Sequence, residues 1–175
     1  DIDIAVTDHC PGFGSVARYM AGTVRELAVD VRSLPIHVVV LEALGRNAGW
    51  TTVSAALARE QDGDGPHLLY PPERAFDEEE FLDRVSALYH RLGGVVVVAS
   101  EGLRKADGTP IVPPIFQTGR STYFGDVSAH LAQTIVRRLG IKARSEKPGI
   151  LARASIAWQS PVDAAEAEEV ARVAC

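Results

Sequence analysis

Cysteine is nearly absent from this chain, with Cys10 and Cys175 the only two in 175 residues. Two are too few for a disulfide framework, and neither stands at metal-ligand spacing, so a reducing cytoplasm is the expected setting. No apolar run approaches the ~20 residues needed to span a bilayer, and no signal-peptide pattern opens the chain, so no membrane partner is expected. An excess of basic residues is missing too. Lys and Arg total 18 against 23 Asp and Glu, the net charge is -5 and the pI is near 5.5. That balance argues against a sequence-independent hold on nucleic acid. No internal repeat occurs, and no glycine-rich phosphate cradle of standard spacing, Gly12-x-Gly14 being the nearest.

What is present is material for a core: 46% of the residues are hydrophobic, enough for one domain or a large piece of one. Val16, Met20, Val24, Leu27 and Val31 recur at helical steps and predict a helix from about Ser15 to Arg32. Ile36–Leu41, apolar but for His37, reads as a strand. Trp50, Val53 and Leu57 mark a second helix, with Trp50 and Trp158 expected as packing anchors. His67–Tyr70 reads as a short strand. Phe81, Val85, Leu88 and Leu92 mark a third helix behind the acids 77–80, which suit a positive helix start. Val95–Ala99 is a continuous apolar run of the kind buried on both faces of a parallel sheet. Residues 105–125, with three prolines and three glycines, read as a long loop or β-hairpin insertion. Val127, Leu131, Ile135 and Leu139 predict a fourth helix, Ile141–Arg144 a strand and Pro161–Ala174 a terminal helix. Alternating strands and helices of this spacing imply an α/β fold, an open and largely parallel sheet with flanking helices. The chain starts at Asp1 without a methionine and stops within a helical pattern, so the fold is expected to be incomplete at its N-terminal side.

The most informative stretch is Leu41–Trp50. A strand pattern ends in Gly45, Arg46 and Gly49, and then a helical pattern begins. In open α/β sheets ligands sit beyond the carboxyl ends of the strands. Gly45 lets the backbone approach a ligand, and the Arg46 guanidinium offers a rigid fork for phosphate or carboxylate. Glu73 follows two prolines that stiffen its loop. Glu101 ends a buried strand, where it faces the site or caps the next turn. His9, His67, His90 and His130 show no ligand spacing and read as structural or solvated.

At this point the residues match a family. Thr7-Asp8-His9-Cys10-Pro11-Gly12-Phe13-Gly14-Ser15, then Glu42-Ala43-Leu44-Gly45-Arg46-Asn47-Ala48-Gly49-Trp50, Tyr70-Pro71-Pro72-Glu73, Val98-Ala99-Ser100-Glu101-Gly102 and the segment from Lys142-Ala143-Arg144 to Arg153-Ala154-Ser155 follow one another in a single order. Together they resemble the second half of phosphofructokinases, most of all the pyrophosphate-dependent branch. The resemblance covers nearly the whole chain. It implies a phosphofructokinase-like domain over residues 1–175, with the fructose 6-phosphate half present and the donor half, with its Gly-Gly-Asp loop, absent.

The implied reaction is phosphoryl transfer from pyrophosphate or ATP to the 1-hydroxyl of fructose 6-phosphate, a step of glycolysis. In register with Thr7-Asp8-His9, the family's catalytic aspartates fall on Asp1 and Asp3. One carboxylate takes the proton from the attacking hydroxyl, and Asp3 helps hold Mg2+ against the donor phosphates. Leu44, Gly45, Arg46, Glu73, Arg144 and Arg153 are the implied substrate-binding residues, two guanidinium groups on one phosphate being sound chemistry. Ile2 stands where the family has asparagine, Leu44 replaces a methionine, His37 lies where the ATP-dependent branch has an arginine from a neighbouring subunit, and Ile150 replaces histidine or tyrosine. The other reading is a non-catalytic module that binds sugar phosphate. The expected partners are fructose 6-phosphate, a donor held by the missing half, and further copies of the chain. On its own the chain is expected to bind sugar phosphate weakly and transfer nothing.

Overall fold

The computed structural model describes residues 9–34, 37–119 and 121–175. In chain order its elements are α1 (Phe13–Ser33), β1 (Val38–Ala43), α2 (Trp50–Ser54, continued by a 3-10 turn over Ala55–Ala58), β2 (Leu68–Tyr70), α3 (Glu78–Leu92), β3 (Val95–Ser100), β4 (Phe116–Thr118), β5 (Ser121–Tyr123), α4 (Val127–Leu139), β6 (Ala143–Glu146), α5 (Leu151–Ala154) and α6 (Pro161–Ala174). Four strands form a parallel sheet in the order β2-β3-β1-β6. This is the open, parallel α/β architecture expected from the alternating pattern.

The two central strands explain the layering. Every residue of β1 and β3 is buried, and Val38 pairs with Val95 through to Ala43 with Ser100. Side chains alternate between faces along a strand, so each strand feeds two cores. Val38, Val40, Val95 and Val97 pack on one face against Phe81 and Val85 of α3 and Leu131 and Ile135 of α4. Val39, Leu41, Val96 and Val98 pack on the other against Met20, Val24 and Val31 of α1 and Ala55 and Ala58. Each fully buried side chain of this size contributes roughly 1.5–3 kcal/mol.

Helix ends follow local chemistry. Asp77 accepts from the Glu80 N–H at 2.9 Å to start α3, and Gly93 ends it in the left-handed region at φ 75°. Asp126 does the same for α4 through the Ala129 N–H at 2.8 Å. Helix α1 has neither a side-chain cap of its own nor an acid in its first turn. Its cap comes from α6, where Asp163 Oδ2 accepts both the N–H and the hydroxyl of Ser15 at 2.6 Å.

Several boundaries and roles differ from expectation. The last strand runs two residues later than Ile141–Arg144, because Val38 pairs with Ala143 and the Val38 N–H donates to the carbonyl of Lys142. The second helix exists, but Trp50, Val53 and Leu57 are 63%, 46% and 65% exposed. The buried residues are instead Thr51, Thr52, Ser54, Ala55 and Ala58, and Ala55 and Ala58 pack in the core that α1 shares with the sheet. Trp50 is therefore no packing anchor. Trp158 is one: a Cβ on Gly22 would lie 2.3 Å from its ring. Residues 105–125 include the antiparallel β4–β5 hairpin, with Phe116 opposite Tyr123. The helical turn α5 had no periodic signal. Among the described residues no helix is long and apolar enough to cross a membrane. Asp1, Asp3, Ile2 and Ile36 lie outside the described residues.

Candidate functional site

A cleft of about 730 Å³ opens where β1 and β3 end, closed on its far side by the starts of α1 and α6 and by α5. Its floor is a turn held from three directions. Gly45 has φ 125°, a conformation that disfavours any side chain. The buried Ser100 hydroxyl donates to the Gly45 carbonyl at 2.5 Å and accepts the Gly102 N–H at 2.9 Å. Glu101 Oε1 accepts the Gly45 N–H at 3.3 Å. Gly102 permits the closeness: a Cβ there would lie 2.1 Å from the Arg46 carbonyl oxygen. The exits of the two central strands are thus pressed backbone against backbone.

The structure brings Leu44, Gly45, Arg46 and Arg153 to this one cleft, with Glu101 beside them. Arg46 comes from the β1 exit and Arg153 from α5. Glu73 stands outside the lining. Its carboxylate accepts the Gly49 N–H at 2.6 Å and so fixes the start of α2 behind the Arg46 turn. Arg144 is separated from the others. It lies on β6 at the sheet edge and lines a shallower groove of about 460 Å³ with Gln133, Arg137 and Glu146. Asp1 and Asp3, the second as a metal ligand also, are outside the described residues.

Two guanidinium groups and a carboxylate converging on one opening can hold an anion and orient neighbouring hydroxyls. The start of α1 does not add to that pull, because Asp163 already sits on it. Burial works against the Asp163 charge, yet the Ser15 hydroxyl, the N–H groups of Gly12 and Ser15 and nearby His9 hold its carboxyl below the usual aspartate range. Among the described residues, His9, Asp163 and Glu166 form the one group whose metal-ligand atoms all lie within 4.8 Å of one another. There His9 Nε2 and Glu166 Oε2 stand 2.6 Å apart, so the group works as a latch between α6 and the segment before α1. Of the other histidines, His67 is structural: its Nδ1 accepts the Val96 N–H at 2.8 Å, and burial pushes its imidazole pKa down.

Below the turn lies a charged cluster that sequence reasoning missed. Glu42, on β1, is 5% exposed. Its carboxylate takes the Lys147 ammonium at 2.8 Å and the Ser128 N–H at 3.1 Å. Burial raises the Glu42 pKa, against the lowering pull of Lys147 and Ser128. Burial likewise opposes the Lys147 charge, but Glu42, with Asp126 and Glu101 adding their fields, more than offsets it and raises that pKa. Lys147 carried no signal because it belongs to no periodic stripe. Ser100 and Gly102 lay within a quoted motif, but only the packing shows what they do.

A sequence profile of the family described as Phosphofructokinase matches residues 1–174. The chain belongs to the phosphofructokinase family. Among phosphofructokinase relatives, it is 39% identical to the pyrophosphate–fructose 6-phosphate 1-phosphotransferase of Xanthomonas campestris, over 99% of this chain and 43% of that protein. It is 36% identical to the enzyme of the same name from Rhodospirillum rubrum, over 97% of this chain and 44% of that one. Among solved structures, the pyrophosphate-dependent phosphofructokinase of Marinobacter aquaeolei superposes with a TM-score of 0.77 at 33% identity, covering 93% of this chain and 38% of that one. The chain therefore spans about two fifths of the length of the relatives it matches.

Proposed function

We propose that the protein carrying this chain transfers a phosphoryl group to the 1-hydroxyl of fructose 6-phosphate, and that this chain supplies the acceptor half of the site. The observation that carries the reading is the convergence of Arg46, Arg153 and Glu101 on one cleft at the carboxyl ends of β1 and β3. Arg46 and Arg153 hold the 6-phosphate by charge-assisted hydrogen bonds, Leu44 and Gly45 shape the floor, and Glu101 accepts from a sugar hydroxyl. Glu73 contributes by setting the start of α2 rather than by touching the sugar. Arg144, on the sheet edge, serves a phosphate only from outside this cleft. Asp1 takes the proton of the attacking hydroxyl. Mg2+, when bound with the donor, screens the charge on its phosphates, and Asp3 is the carboxylate assigned to it.

The donor binds in the part of the protein matched by the rest of the relatives' length. The relatives named above favour pyrophosphate over ATP. The protein works in the cytoplasm as a homo-oligomer.

The test is production of fructose 1,6-bisphosphate by the complete protein from fructose 6-phosphate with Mg2+, comparing pyrophosphate with ATP. Turnover with pyrophosphate is expected; no turnover with either donor overturns the reading. The purified 175-residue chain should bind fructose 6-phosphate weakly and transfer nothing.

A further inference from the structure

We propose that Lys147 is a positioning residue for the cleft, tying the buried Glu42 beneath the Gly45–Arg46 turn to the segment that delivers Arg153. The inference rests on the reading of the cleft as a sugar-phosphate site.

Lys147 follows the exposed edge strand β6, where a lysine would ordinarily be a solvated surface charge. Here its ammonium reaches inward to a carboxylate that solvent barely touches. The same carboxylate takes the Ser128 N–H, and the Ser128 hydroxyl donates to Asp126 Oδ1 at 2.8 Å. One cation thus joins β1, the start of α4 and the chain leaving β6.

Both walls of the cleft depend on that junction. On one side Glu42 lies three residues before Gly45, and Glu101, which adds to the field at Lys147, accepts the Gly45 N–H. On the other side the chain from Lys147 to Arg153 has little freedom. The N–H groups of Leu151, Ala152 and Arg153 bond to the carbonyls of Pro148, Gly149 and Ile150 at 3.1, 3.3 and 3.1 Å. Where Lys147 is held, Arg153 is held. Removing the ammonium leaves Glu42 and Asp126 facing each other without a cation, and a buried carboxylate in that state takes up a proton or moves out. Either response shifts the turn that presents Arg46.

The test compares Lys147→Met, Lys147→Arg and the double variant Lys147→Met/Glu42→Gln in the complete protein, by steady-state kinetics with fructose 6-phosphate and with the donor the wild type uses. Lys147→Met is expected to raise KM for fructose 6-phosphate about tenfold or more, while KM for the donor stays within about twofold. Lys147→Arg should recover the sugar KM to within about threefold of wild type, because it restores the cation. The double variant leaves no unpaired buried charge, so it should fall between the two and carries the comparison if Lys147→Met does not fold. An unchanged sugar KM overturns the proposal. So does a uniform loss, with both KM values and kcat moving together and no rescue by arginine. If the wild type has no activity toward fructose 6-phosphate, the reading of the cleft fails instead. The tether is then read from amide hydrogen exchange at residues 44–46 and 150–153, which must quicken about tenfold in Lys147→Met. Unchanged exchange there overturns it.

Discussion

Replacing Gly102 with alanine should damage the cleft at the ends of β1 and β3 without altering any residue proposed to touch a ligand. The added Cβ would stand 2.1 Å from the carbonyl oxygen of Arg46 and 2.6 Å from its carbonyl carbon and Cα. All three atoms are backbone, so no rotamer change relieves the contact. A carbon needs about 3.5 Å from such neighbours, so the two strand exits must part by about 1 Å or more. Overpacking of this kind costs about 1–3 kcal/mol of stability. The functional loss should be larger than that implies, because the displaced atoms belong to Arg46 and to the turn that Ser100 and Glu101 hold. A misplacement of about 1 Å is worth up to roughly a hundredfold in catalytic efficiency. The assay is denaturant unfolding together with kcat/KM for fructose 6-phosphate in the complete protein. Gly119→Ala is the control: among the described residues nothing lies within 4 Å of a Cβ there, and stability and kinetics should match wild type. A Gly102→Ala protein with wild-type stability and sugar kinetics would show that the strand exits are not pressed together as described, and the account of the turn would fall.

Three further outcomes are expected. Arg46→Ala and Arg153→Ala in the complete protein should each lose about 1.5–3 kcal/mol of transition-state binding, seen chiefly in KM for fructose 6-phosphate; an unchanged KM removes that arginine from the site. Asp1→Asn should instead lower turnover by about 10²–10⁴-fold with little change in sugar affinity, and near-normal turnover would move the base to Asp3. Asp163 has a depressed folded-state pKa, so the stability it contributes is fully present above the ordinary aspartate value of about 3.9 and is lost as pH falls through the lower folded value. Asp163→Asn should therefore be less stable at neutral pH and lose less on acidification than wild type, and parallel stability–pH curves for the two proteins would refute the cap.

Much of this architecture was legible in the residues themselves because its signals are local. The valine runs 38–40 and 95–98 allow little but buried parallel strands. The stripe Phe81, Val85, Leu88 defines a helix by its own period, and Asp77 and Gly93 bound it by hydrogen bonds that reach only a few positions. The same locality made the Gly45–Arg46 turn readable as a candidate site, and the fold places both residues in one cleft. Other features depended on contacts between distant positions. Trp50, Val53 and Leu57 keep a helical spacing, yet which face of α2 is buried was decided by its packing against α1 and the sheet. Arg144 and Arg153 look equivalent along the chain, but β6 carries one to the sheet edge while the turn after Pro148 carries the other into the cleft. Asp163 caps α1 from 148 positions away, and Lys147 finds its partner in a strand on the far side of the sequence. Neither pairing has a local signature. A buried carboxylate selects its donor by the distance that packing leaves between them, and only the folded chain sets that distance.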